Sequence, residues 1–188
     1  MLVNLKAIAH KVTELEVLQL SSDNPDTKFE TTKEGKLIVM SPTGSSTGEK
    51  NSSLLAQIWI WNNQNKSGKV FDSSTGFILS NGAIKSPDVS WIELNRWREL
   101  TPEQQDRYAP IDPDFVIELR SPTDKFEDLQ SKMEEYIDCG VKLGWLIDPK
   151  GKQVEIYRQG QREILDSPQS LSGENILSGL TVDLSDIW

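Results

Sequence analysis

The stretch PDFVIELRSPTDKFEDLQSKMEEYIDCG, residues 113–140, predicts a strand followed by a helix. Over residues 113–119 the side chains alternate between two faces, as those of a β-strand do. Over residues 124–139 the apolar residues recur at the spacing of one buried helix face; they are Phe126, Leu129, Met133, Tyr136 and Ile137. We expect Asp124 to cap the first turn of this helix and Gly140 to end it in a left-handed conformation.

Two acidic residues are predicted to meet on neighbouring strands. Alternation places Glu118 on the same face as Asp114, and Arg120 continues that face. Residues 87–92 predict a second strand, on which Asp88 points away from the apolar side chains. If the two strands are adjacent, Asp88 lies beside Glu118. Two carboxylates held that close repel each other, and a shared proton or a hard divalent cation such as Mg²⁺ or Mn²⁺ relieves the repulsion.

The predicted helix contributes a lysine near these acids. Lys132 falls at the rim of the apolar stripe, from which its ammonium can reach inward. A lysine beside a metal-bound water helps to hold the attacking hydroxide, or stabilises the negative charge that grows on a phosphate. The same residues also fit plainer roles. Asp88 could simply begin a strand, Glu118 could form an ion pair with Arg120 or Lys132, and Lys132 could be an ordinary helix-flank lysine.

The remaining sequence predicts a mixed α/β fold in a single domain of residues 1–188. Helices are predicted over residues 11–20, 48–63 and 93–108, and strands over residues 36–41, 69–72, 76–79, 143–147 and 153–158. We expect the strands at 69–72 and 76–79 to pair with each other, and those at 143–147 and 153–158 to form a hairpin. No repeat, low-complexity tract or linker divides the chain, and the C-terminal residues predict no single element.

The charge balance of the chain argues against a nucleic-acid partner. Twenty Lys and Arg against 29 Asp and Glu give a formal charge of −9, and such a field repels a polyanion. A bound divalent cation reverses the local sign of a carboxylate site, so the balance alone does not decide. The single cysteine, Cys139, fits neither an intramolecular disulfide nor a cysteine zinc site, and no apolar run approaches the roughly 18 residues of a membrane span. We therefore expect a cytoplasmic protein that is neither secreted nor membrane-inserted.

Several runs of residues resemble the PD-(D/E)xK nuclease superfamily and, within it, the Uma-type family of restriction endonucleases, catalogued as a domain of unknown function. The runs are MSPTG (40–44), FDSSTGF (71–77), SPDVSW (86–91), PDFVIELRSPTD (113–124), KMEEYIDCG (132–140) and GWLIDP (144–149). The resemblance implies a restriction-endonuclease-like fold with a central mixed sheet flanked by helices. It further implies an endonuclease that hydrolyses DNA phosphodiester bonds with Mg²⁺ or Mn²⁺, and a homodimer.

The resemblance also implies which residues form the site. The PD element of the superfamily maps to Pro87 and Asp88, and the (D/E)xK element begins at Glu118. Asp88 and Glu118 are thus the expected metal ligands. The lysine of the superfamily pattern is replaced here by Arg120, which stays protonated and so stabilises charge without acting as a base.

In related branches of the superfamily the catalytic lysine has moved to the following helix, a position that Lys132 matches. The expected catalytic residues are therefore Asp88, Glu118, Arg120 and Lys132. An upstream glutamate often completes the site, and Glu30 and Glu49 both fit. A second hypothesis is a catalytically inactive member that keeps the nuclease scaffold as a binding or regulatory module. The arginine at position 120 and the charge of −9 both favour it.

Overall fold

The computed structural model describes residues 11–40 and 42–188. Its helices are α1 (Glu14–Asp23), α2 (Ser45–Asn65), α3 (Leu94–Arg98), α4 (Pro102–Gln105) and α5 (Phe126–Asp138). Its strands are β1 (Lys28–Thr31), β2 (Leu37–Met40), β3 (Gly68–Asp72), β4 (Phe77–Ile78), β5 (Ile84–Lys85), β6 (Val89–Glu93), β7 (Phe115–Leu119), β8 (Leu143–Asp148), β9 (Gln153–Arg158), β10 (Gln161–Asp166), β11 (Ser170–Ser172) and β12 (Thr181–Asp183). Within these residues the largest sheet is six-stranded, in the order β10-β9-β8-β7-β6-β3.

Asp88 directly precedes β6 and Glu118 lies in β7, and these two strands are neighbours in the sheet. β6 and β7 pair antiparallel, with Val89 opposite Ile117. Continuing the register by one residue sets Asp88 opposite Glu118, as the sequence predicted. β7 and β8 run parallel and are connected through α5, the kind of crossover that a parallel pair requires. A mixed sheet flanked by helices confirms the predicted fold class.

The two faces of β7 serve two different cores. Phe115 and Ile117 belong to the core that α2 and the C-terminal segment cover. Val116 belongs to the core that α5 covers on the opposite face. Because side chains alternate along a strand, Glu118 shares the face of Val116 and points toward α5. The pleat of β7 thus directs a carboxylate at the helix that carries Lys132.

The helix α2 packs on the sheet through one stripe of residues. Its buried positions are Thr47, Leu54, Ile58 and Trp61, which recur at intervals of seven, four and three residues. This spacing keeps the buried side chains on one side of the helix. In the part of the chain that the structure describes, no helix is both long and apolar enough to cross a bilayer.

A separate antiparallel pair, β1 and β2, lies against α1 and β5. Phe29 of β1 shares a small core with Val17 and Ile84. The hydroxyl of Thr31 accepts a hydrogen bond of 2.9 Å from the Ile84 amide, which fixes β1 next to β5. The sequence did not predict β1, whose four residues, KFET, carry Glu30.

Two local expectations were wrong. β3 pairs with β6 and β4 pairs with β5, so the strands predicted at 69–72 and 76–79 do not pair with each other. Asp124 does not cap α5, because its carboxylate accepts a hydrogen bond of 2.7 Å from the Ser121 amide and closes the preceding turn. The N-cap residue is Lys125, which makes no side-chain cap bond.

Other local expectations were confirmed. Gly140 follows α5 with a φ of +104° and its amide donates to the Ile137 carbonyl. β8 and β9 form the predicted hairpin, with Asp148 opposite Gln153. β2 corresponds to the strand predicted over residues 36–41, of which Ser41 lies outside the described residues. The helical stretch predicted over residues 93–108 was confirmed in part: it is divided into α3 and α4, with residues 99–101 and 106–108 outside both helices.

Candidate functional site

A cleft of about 1270 Å³ opens between the β1–β2 pair, the first turns of α2, the ends of β6 and β7, and α5. Charged side chains from four of these elements line it: Glu30, Asp88, Glu118 and Lys132. Three of these four were predicted as site residues, and the fourth is one of the two upstream glutamates that the sequence left open. The cleft therefore brings together residues that are up to 102 positions apart in the chain.

Asp88 is held in place from two sides. Its Oδ2 accepts a hydrogen bond of 2.8 Å from the Leu119 amide, next to Glu118 in the chain. Its Oδ1 accepts a bond of 3.1 Å from the side-chain amide of Asn51, on α2. Burial raises the pKa of the Asp88 carboxyl, although both hydrogen bonds and the charge of Lys132 oppose that shift. Asp88 is thus an oriented carboxylate whose ionised form is poorly solvated.

Glu118 is almost entirely buried on β7. Its Oε1 lies 2.8 Å from the Lys132 ammonium and accepts a hydrogen bond of 3.0 Å from the Tyr136 hydroxyl. Burial raises the pKa of Glu118 to about 7; the charges of Asp88 and Glu30 add to the rise and that of Lys132 opposes it. A further positive charge in the cleft would stabilise the ionised form of this carboxyl.

Lys132 bridges two carboxylates that come from different sheets. Its Nζ lies 2.9 Å from Oε1 of Glu30 and 2.8 Å from Oε1 of Glu118. Burial by itself disfavours the ammonium, but the charges of Glu118 and Glu30 outweigh burial and raise the pKa of Lys132 above its ordinary range. The two carboxylates therefore favour the charged form of Lys132.

Between the two upstream glutamates, the structure brings Glu30 into the cleft. Besides Lys132, Glu30 Oε1 accepts a hydrogen bond of 2.9 Å from the Ser86 amide, and the buried ammonium of Lys85 lies 4.0 Å from its Oε2. Glu49 is exposed on α2 and does not line the cleft. Geometry thus distinguishes two residues that sequence spacing could not.

Besides Asn51, Tyr136 and Lys85 contact the site without having been predicted as part of it. Tyr136, predicted as a core residue, donates to Glu118. Lys85 contacts Glu30 and forms a 3.0 Å ion pair with Glu135. Tyr136 lies one helical turn after Lys132, a spacing that places both on one side of α5. Lys85 gives no comparable signal, because its position depends on the β4–β5 pairing.

Arg120 and Asp114 do not join the cleft. The Arg120 guanidinium forms a 2.8 Å ion pair with Asp148 and stacks 5.1 Å from the centre of the Phe126 ring. Asp114 is bound by Arg96 at 2.8 Å and by Lys142 at 2.7 Å. Neither Arg120 nor Asp114 lines the cleft. The expected catalytic role of Arg120 therefore has no support in this geometry.

The donor chemistry of the cleft fits a hard divalent cation. Glu30, Asp88 and Glu118 offer carboxylate oxygens, the ligands that Mg²⁺ and Mn²⁺ prefer. Within residues 11–40 and 42–188, however, no three acidic, histidine or cysteine side chains form a ready-made metal cluster. The Lys132 ammonium lies between two of the acids and supplies the positive charge there. A cation would thus enter a site that already holds an internal one.

Comparison with known proteins gives a family and a fold. A family model described as "Uma2: Putative restriction endonuclease" matches residues 13–185. A crystal structure from Anabaena variabilis ATCC 29413, described as "a putative nuclease belonging to DUF820", is similar with a TM-score of 0.75 and 24% identity; the match covers 94% of this chain and 97% of that chain. No curated protein matches the sequence. The structural similarity supports the restriction-endonuclease-like fold.

Glu118→Gln tests the electrostatics of the cleft. The pKa of Glu118 is about 7 in the folded chain against an ordinary value of 4.5. Between these two pH values the folded chain keeps a proton that the unfolded chain loses, so this group lowers the free energy of unfolding as pH rises. We expect the free energy of unfolding of the Gln variant, relative to the natural chain, to rise from pH 4.5 to pH 7 and then level off. Urea unfolding in EDTA measures the free energy of unfolding of both chains at each pH. A difference between the two chains that stays constant from pH 4.5 to pH 7 would contradict the raised pKa of Glu118.

Proposed function

Because the chain belongs to the Uma2 family, whose model matches residues 13–185, we propose that it is a divalent-metal-dependent endonuclease that hydrolyses DNA phosphodiester bonds. One observation carries the proposal: the carboxylates of Asp88 and Glu118 and the ammonium of Lys132 line a single cleft. Their order along the chain matches the order that the family resemblance implies. An acid precedes β6, a second acid lies in β7, and the lysine lies in α5.

Asp88 and Glu118 would hold Mg²⁺ or Mn²⁺, and Glu30, which shares the Lys132 ammonium with Glu118, would lie beside them. A bound cation activates a water and neutralises charge that develops on the phosphate. The chain contributes the orientation of its ligands. The Leu119 amide and Asn51 fix Asp88, and the Tyr136 hydroxyl fixes Glu118, before any ligand arrives. Hydrogen bonds that orient the ligands in advance favour metal binding and catalysis, because the ligands need not rearrange.

Lys132 acts in this proposal as an electrostatic group and not as a base. The two carboxylates that it bridges raise the pKa of Lys132, so the ammonium is charged and its charge is available in the cleft. A charged ammonium in a buried cleft stabilises negative charge on an attacked phosphate. The guanidinium of Arg120 already pairs with Asp148, so the proposal assigns phosphate stabilisation to Lys132.

The acidic balance of the chain is compatible with a DNA substrate only if cations assist binding. At −9 the whole molecule repels a polyanion, and the cleft itself carries more acidic than basic side chains. A divalent cation in the cleft lowers that repulsion locally. DNA binding should therefore depend on the cation as well as on the chain.

Alanine variants of the three acids test the proposal. With plasmid and single-stranded DNA and Mg²⁺ or Mn²⁺, we expect Asp88→Ala, Glu118→Ala and Glu30→Ala to reduce cleavage by about a hundredfold or more, because each removes a carboxylate of the cleft. Glu49→Ala is the matched control, since Glu49 was an equal candidate by sequence but is exposed outside the cleft. Equal cleavage by all four variants would remove the proposal. Metal binding without cleavage in the natural chain would favour the binding-module alternative.

Lys132→Met separates metal binding from chemistry. The ammonium that bridges Glu30 and Glu118 competes with an incoming cation, so its removal should tighten Mn²⁺ binding by about tenfold while cleavage falls. Calorimetry at about pH 8.5 keeps the acids ionised during the titration. Lys125→Met, an exposed lysine at the start of the same helix, is the control. Unchanged or weaker Mn²⁺ binding by Lys132→Met would show that the ammonium does not compete.

A further inference from the structure

Asn51 occupies an unusual place on α2. The helix packs on the sheet through Thr47, Leu54, Ile58 and Trp61. Asn51 lies four residues after Thr47 and three before Leu54, so it belongs to the same stripe. An apolar side chain would normally fill such a position, and an amide there needs partners for both of its ends.

Only one end of the Asn51 amide has a partner. Its Nδ2 donates to Asp88 Oδ1 at 3.1 Å. Its Oδ1 is buried and has no hydrogen-bond partner among the residues that the structure describes. An ionised Asp88 only accepts hydrogen bonds, so the Asn51 nitrogen faces it and the oxygen is the unpaired end. Asn51 also lines the cleft.

Another asparagine of the same helix shows what a structural amide looks like in this chain. Asn62 Nδ2 donates to the Gly68 carbonyl at 3.0 Å. Asn62 Oδ1 accepts from the Gly68 amide and from the Trp91 indole, each at 3.0 Å. Both ends of Asn62 are thus used to join α2 to the sheet. Asn51 is held by one end only, and that end is bonded to a proposed metal ligand.

We propose that Asn51 is a further residue of the site, whose Oδ1 is an additional oxygen ligand for the divalent cation that Asp88 and Glu118 would bind. The inference rests on the proposed function and extends it to a residue on α2. A neutral amide oxygen is a suitable ligand for a hard cation, and it adds a donor without adding to the negative charge of the cleft. The nitrogen of the same side chain orients Asp88, so one residue would both bind the cation and position another of its ligands.

Manganese titration of three variants tests the proposal. Asn51→Ala removes both ends of the amide and should weaken Mn²⁺ binding about tenfold in calorimetry. Asn51→Asp keeps an oxygen but cannot donate to Asp88. It should bind Mn²⁺ at least as tightly as the natural chain and show a larger rise in Tm on addition of Mn²⁺. Asn62→Ala, the matched control, should lower Tm and leave Mn²⁺ affinity unchanged, because Asn62 is bonded to Gly68 and Trp91 outside the cleft.

The outcomes distinguish this inference from the proposed function. No Mn²⁺ binding by the natural chain would overturn both. Binding by the natural chain that Asn51→Ala leaves unchanged would overturn only the inference. Equal weakening by Asn51→Ala and Asn51→Asp would also overturn it, because the residue would then act solely as a hydrogen-bond donor to Asp88. Circular dichroism in EDTA checks that each variant is folded, and Asn51→Ser replaces an alanine variant that is not.

Discussion

The ammonium of Lys132 donates to Glu30 and Glu118 at once, and this bridge joins three parts of the fold. Glu30 comes from the β1–β2 pair, Glu118 from the central sheet and Lys132 from α5. In a buried setting each of these charges depends on the others, since removal of one partner of a buried pair costs about 3–5 kcal/mol. The bridge therefore holds the walls of the cleft together and fixes the positions of the two glutamates.

The same bridge leaves the cleft with unbalanced charge. Asp88 lies next to Glu118 and lacks an ion pair of its own among the described residues; a backbone amide and the Asn51 amide hold it instead. Burial and mutual repulsion raise the pKa of Glu118 to about 7, even with Lys132 beside it. Buried carboxylates that repel each other cost free energy, and a bound cation would lower that cost. The buried carboxylates that are unfavourable in the folded chain are thus the same groups that would bind the metal.

The sequence predicted those parts of the fold and site that depend on short-range patterns. The alternation in β7 placed Glu118 on the face opposite Phe115 and Ile117, and helical spacing placed Lys132 at the rim of the apolar stripe of α5. The pairing of β6 with β7 was the condition under which the sequence placed Asp88 beside Glu118, and the structure meets that condition. Long-range contacts were not predictable in this way. The positions of Glu30 and Lys85 depend on how β1 meets β5, and Arg120 pairs with Asp148 because β7 and β8 are parallel neighbours. No sequence pattern singled out Asn51, because its contact with Asp88 spans 37 positions.

A crystal of the natural chain soaked in Mn²⁺ and measured at the manganese absorption edge shows whether the acids of the cleft bind a cation. We expect an anomalous peak bound by carboxylate oxygens of Asp88 and Glu118, with the Lys132 ammonium moved away from at least one of its two glutamates. A cleft without an anomalous peak at saturating Mn²⁺, with Lys132 still bonded to Glu30 and Glu118, would contradict it.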